Sequence, residues 1–128
     1  MTIEKALAKC DEINPNTVDE VTKIKWLSQL DGLIKSETFD HYERNDADAD
    51  ISDFCGYDEN NARSTALLVP FPYDDIYVNY LVAQVYLFMG ENTKYNNYAA
   101  IYESEKDTYE RYYARTHKPK EPHKFTWY

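Results

Sequence analysis

Three aspartates at alternate positions, Asp46, Asp48 and Asp50, have a spacing that could do chemistry, because alternate carboxylates open the calcium loop of an EF-hand. That loop also needs a glycine at its sixth position and a closing bidentate glutamate at its twelfth. Ile51 and Tyr57 stand at those two places, so the run reads as a solvated acidic loop. Asp74 and Asp75 form a second carboxylate pair, of the kind that general acid–base chemistry uses. They precede an apolar run, where the dipole of a helix start attracts acids by itself, and no nucleophile stands beside them. His41, His117 and His123 lack an HExxH pattern or a cysteine companion and read as surface histidines. Cys10 and Cys55 are far apart, each without a second ligand at metal spacing, and read as reduced, mostly packed thiols. Gly32, Gly56 and Gly90 are isolated, which leaves no glycine-rich phosphate loop. The expectation is a protein that is not an enzyme, with no catalytic residue, no metal and no cofactor.

The composition narrows the partners. With 23 acidic and 14 basic side chains among 128 residues, the formal charge is -9, which disfavours general attraction to nucleic acid phosphates. No apolar run approaches the roughly 20 residues that span a bilayer. The opening MTIEKALAKC lacks the basic-then-apolar order of a secretion signal, so the chain reads as soluble and made inside the cell. Thirteen tyrosines are the unusual feature. Tyrosine offers large apolar area with a hydroxyl that can reach water or a partner, which suits a small core that also meets other subunits.

The elements that would carry these residues are helical. Thr2 is placed as an N-cap, with Glu4 in the first turn and Ile3, Ala6, Leu7 and Cys10 at helical spacing up to about Ile13. Asn14-Pro15-Asn16 breaks that helix, and Thr17 with Glu20 has the form of a capping box at the head of a second. Val18, Val21, Ile24, Leu27, Leu30 and Ile34 make its apolar stripe, leaving Asp19, Glu20, Lys23 and Lys25 mostly on other faces. From His41 to Ser64 the period is lost, and Leu67 to Val69 read as an anchor of that loop to the core. The central helix, about Tyr73 to Met89, starts after Pro70 and Pro72 and stops at Gly90. It is apolar on every side of the helical wheel, so other helices are expected to enclose it. Tyr95, Tyr98, Tyr102, Tyr109 and Tyr112 form a heptad-like stripe on a fourth helix, about Asn92 to Thr116, in which only Glu105 interrupts the apolar slots. Their neighbours are largely acidic, so the stripe reads as core rather than as a stacking platform for bases.

The predicted fold is therefore all-α: a small bundle of about four helices, with a long acidic loop between helices 2 and 3 and an extended C-terminal tail. Residues 1–117 make the helical domain and 118–128 the tail. The tail is basic and aromatic, with Lys118, Lys120, Phe125, Trp127 and Tyr128 as candidate protein-interface residues, and two prolines forbid helix continuation. It reads either as a docking arm or as a terminus that is folded back on the acidic body or disordered.

Three motifs carry a family resemblance. WLSQLDG at Trp26–Gly32, LLVPFPYDDIYVNYLVAQ at Leu67–Gln84, and GENTKYNNY at Gly90–Tyr98, followed by YYARTHKP at Tyr112–Pro119, resemble the head-tail connector, or portal adaptor, proteins of long-tailed bacteriophages and prophages. The matching positions include Trp26, Leu30, Pro70, Pro72, Tyr73, Asp74, Tyr77, Leu81, Gly90, Glu91, Tyr95 and Asn96. The resemblance implies a virion structural protein at the head–tail interface, made in the bacterial host cytoplasm. Such a protein binds the portal protein and self-associates into a ring on assembly. The ring extends the DNA channel, passes DNA without sequence-specific binding, and docks the tail or a stopper protein, with no membrane involved. An acidic body suits a conduit that phosphates must not stick to. The rival reading is a helical, antitoxin-like intracellular regulator that binds one protein and forms no ring; a helical metal-binding or small-molecule enzyme is a more distant one.

Overall fold

A computed structural model of the chain describes residues 1–59 and 63–120. Four α-helices follow in order: α1 (Ile3–Ile13), α2 (Glu20–Glu37), α3 (Asp75–Phe88) and α4 (Asn92–Thr116), with a 3₁₀ turn at Phe39–His41. The fold is an all-α bundle, as the apolar periodicity predicts.

α1 starts as expected, with the Thr2 hydroxyl accepting from the Lys5 N–H at 3.3 Å. Two more of its first N–H groups, on Ile3 and Glu4, donate to the carbonyls of Thr65 and Arg63. The long loop therefore closes the head of the first helix. Leu67 and Val69 then enter the core, so that stretch does anchor the loop.

The start of α2 differs from the expectation. The Asn16 side chain accepts from the Val18 N–H at 3.0 Å and donates to the Asn14 carbonyl at 2.7 Å. That local turn holds the backbone out of helix until Asp19, so Thr17 caps nothing and Glu20 opens the helix. Two stripe assignments also change. Val21 is exposed, whereas Lys23, expected toward solvent, is buried, with its ammonium 2.5 Å from an Asp11 carboxylate oxygen.

α3 packs against α4 along its length and against α1 and α2 on its other sides. Ile76, Tyr77, Val78, Leu81, Val82, Ala83 and Val85 are buried. Enclosure ends at the last turn, where Leu87, Phe88 and Met89 are exposed. The helix is longer than the layer around it. Gly90, at φ +78°, reverses the chain there, and the Glu91 N–H reaches back to the Tyr86 carbonyl at 3.0 Å. This is the left-handed glycine stop that joins α3 to the antiparallel α4.

The α3–α4 seam is aromatic. Tyr86 meets Tyr98, Tyr80 meets Tyr102, and Tyr73 meets both Tyr109 and Tyr112. At the far end Tyr113, not Tyr112, is the second fully buried ring of α4. A straight helix drifts from a strict heptad, which carries the stripe from Tyr109 to the residue four positions on. Glu105, the break in the stripe, is partly buried and accepts from the Asn79 amide; burial raises its carboxyl pKa.

Leu81 has no exposed surface at the centre of the bundle. A carboxylate there would be buried without a partner, so Leu81→Asp is expected to abolish folding. A soluble Leu81→Asp protein with a cooperative melt would contradict the assignment.

Candidate functional site

Residues from two of the motifs, WLSQLDG and LLVPFPYDDIYVNYLVAQ, meet in a buried polar node. Asp31, in WLSQLDG, has no exposed surface. The Tyr77 hydroxyl, from the central motif, donates to Asp31 Oδ1 at 2.5 Å, and the Leu68 N–H donates to Oδ2 at 3.1 Å. The Tyr57 hydroxyl, from the acidic loop, donates to Oδ2 as well. Tyr77 in turn accepts from the Val69 N–H at 2.7 Å. One carboxylate thus holds α2, α3, the loop and its anchor together.

The electrostatics follow from the burial. Loss of water pushes Asp31 above the ordinary carboxylate range, against the pull of its donors Tyr57, Tyr77 and the Leu68 N–H. Burial, then the Asp31 charge and hydrogen bond, push Tyr57 and Tyr77 up. The phenols keep their protons and act as donors. Each carboxylate oxygen of the node has at least one donor, and the arrangement acts as a clamp.

A second cluster ties the loop to the end of α4. Arg44 donates to the Tyr113 hydroxyl at 2.6 Å and to the Ala49 carbonyl at 2.9 Å, and lies over the Phe39 ring. His117, expected on the surface, is buried: its ring stacks on Tyr113 with centroids 3.7 Å apart, and Nε2 is 2.8 Å from Asp48 Oδ2. Burial tends to raise Asp48, but the Asn45 N–H, His117 and Arg44 together hold it below the usual range. Asp48 therefore faces His117, while Asp50 accepts from the N–H and hydroxyl of Ser52. Asp46 is exposed. Cys10 is buried, which raises its thiol to about 11, and Cys55 is exposed.

The remaining motif residues lie at the two ends of the α3–α4 hairpin and in the core between α2 and α3. At the base, Asp74 is buried with an oxygen 3.1 Å from the Met1 nitrogen, and Tyr73 stacks on Tyr112. Leu30 and Leu81 are in the core, Trp26 packs on it from the edge, and Pro70 and Pro72 are exposed. At the tip lie Gly90, Glu91, Tyr95 and Asn96, of which Gly90 and Asn96 are exposed.

Lys118 and Lys120 are exposed, but their backbone runs beside the loop. The Glu43 N–H donates to the Lys118 carbonyl at 2.7 Å and the Lys120 N–H to the His41 carbonyl at 3.1 Å. The start of the tail is folded back on the domain. Phe125, Trp127 and Tyr128 lie outside the described residues.

Sequence alone weighs Asp48 and His117 but reads them as solvated, and Asp31, Tyr57, Arg44 and Tyr113 are not among its candidates. Of these four, only Asp31 has a visible signal. It shares the inner face of α2 with Leu27, Leu30 and Ile34, an acid in an apolar slot. No family model, curated protein or solved structure matches the chain.

Two measurements test the clusters. Asp31→Ala would leave two phenols and an N–H buried without an acceptor, and is expected to cost about 3–5 kcal/mol in denaturant unfolding; a loss under about 1 kcal/mol would remove the clamp. Asp48 has a folded value below its unfolded one, so its contribution is full above the ordinary value of 3.8 and is lost as pH falls through the depressed one. The stability advantage of wild type over Asp48→Asn should therefore shrink on acidification below that value. An advantage that grows instead would reverse the sign.

Proposed function

We propose that this chain is a bacteriophage head-tail connector: a virion structural protein that binds the portal, forms a ring that extends the DNA channel, and docks the tail or stopper. The observation that carries the reading is the Asp31 node. Helix-bundle physics does not require an aspartate in WLSQLDG to receive a tyrosine from PYDDIYVNY and an N–H from the LLVP anchor. These are two of the segments on which the resemblance rests, and their meeting at one carboxylate gives the motif a common structural purpose.

Two further features support it. The net charge of -9 suits a conduit past which phosphates slide without adhering. The exposed apolar turn Leu87–Met89 is surface that a monomer has no use for and a ring subunit has.

In this reading the segment after His117 engages the portal or a neighbouring subunit. Its first residues, 118–120, lie along the loop at 41–43. The test is to mix the protein with portal-bearing heads and examine them by electron microscopy and co-sedimentation. A ring of added density beneath the portal is expected. Deleting the residues after His117 should leave a folded helical protein that no longer joins the heads. Absence of any association by the full chain would overturn the connector reading, and full assembly by the truncated one would exclude the docking arm.

A further inference from the structure

The α3–α4 hairpin has two unlike ends. At its turn, Leu87, Phe88 and Met89 are 45%, 68% and 49% exposed. Successive helical residues point about 100° apart, so exposure of all three means that no other described element covers this end. Lys94, in the first turn of α4, lies beside them over the Tyr86 ring, its contact with Glu91 a loose 3.8 Å.

At the other end a cleft of about 370 Å³ opens between the acidic loop, the anchor and the last turns of α4. Phe39, Ile51, Leu68, Pro70, Tyr109 and Tyr112 give it apolar walls. From the loop, Arg44, Ala47, Asp48 and Ala49 form its lip, and the exposed carboxylates of Asp46 and Asp50 stand beside them in the same loop. Tip and cleft are separated by the α4 residues from Asn92 to Tyr109, about 26 Å of helix. They cannot meet within one chain.

We propose that Phe88, flanked by Leu87 and Met89, seats in the aromatic cleft of a second copy of this chain, with Lys94 against the acidic lip. Apolar knob meets apolar cleft, and the ammonium meets carboxylates. Because the two surfaces differ, the contact is head-to-tail and propagates until rotation closes it, which is the geometry of a ring. The inference rests on the connector reading and supplies its subunit contact. Three side chains bury far less than the roughly 800 Å² per partner of a stable interface, so each contact is weak alone and holds when many act together.

Cysteine cross-linking tests it. In a Cys55→Ser background, Met89→Cys at the tip and Ala47→Cys at the lip are combined and treated with a short bis-maleimide; Cys10 is buried and silent. A ladder of covalent multimers beyond the dimer is expected from the purified protein, whereas each single-cysteine control stops at dimer. Adding Phe88→Asp, or the milder Phe88→Ser, should cut the ladder by about tenfold or more with the melt unchanged, since Phe88 is already exposed. No multimers, or a ladder that survives both substitutions, would overturn the contact. The two readings fail separately. Multimers from a chain that ignores portal-bearing heads keep the contact and remove the connector role, while heads joined by a chain that gives no ladder remove only the contact.

Discussion

The bundle depends on one buried charge. Asp31 lies inside α2 with no exposed surface, and the loop between α2 and α3 reaches the core through a few separate apolar contacts, Phe39 at its start and Leu67 and Val69 near its end. Its carboxylate gathers donors from Tyr57 and Leu68 on that loop and from Tyr77 on α3. A fully apolar residue at this place could be as stable or more so, because a buried charge forfeits its hydration. What it could not do is fix the register of a long acidic loop, since apolar contacts are not directional. Direction is what the node contributes.

The second clamp, around Arg44, Asp48, Tyr113 and His117, does the same for the other half of the loop and for the residues that follow α4. Between the two clamps the loop becomes the wall of an aromatic cleft. The hairpin that begins beneath this cleft ends in a bare apolar turn. In the proposed contact the apolar turn of one copy fills the cleft of the next, and the two unlike surfaces make that contact head-to-tail.

Much of the fold is legible in the chain because helices are local. The periods of α1, α3 and α4 and the stop at Gly90 depend on residues within a few positions of each other. The misses share a physical cause. Burying a polar side chain is costly without a partner, and the partners here are distant: Lys23 with Asp11 across 12 positions, Asp31 with Tyr77 across 46, His117 with Asp48 across 69. Nothing in the neighbourhood of His117 announces an aspartate 69 residues earlier. The exposed end of α3 was hidden for the opposite reason, because apolarity alone does not say where the neighbouring helices stop. The Phe39, Tyr109 and Tyr113 cluster lies between these cases. Tyr109 was visible as part of a stripe, but choosing Tyr113 over Tyr112 needed the actual twist of α4, and Phe39 comes to them from a separate turn.

The claim that Asp31 and Tyr77 act as one unit is tested most directly by a double-mutant cycle of Asp31→Asn and Tyr77→Phe, read by equilibrium unfolding at neutral pH. Coupling predicts that the double variant falls short of the sum of the singles by about 1 kcal/mol or more. Additivity within about 0.3–0.5 kcal/mol would mean that the two residues stabilise the bundle independently, and the node would lose its central place.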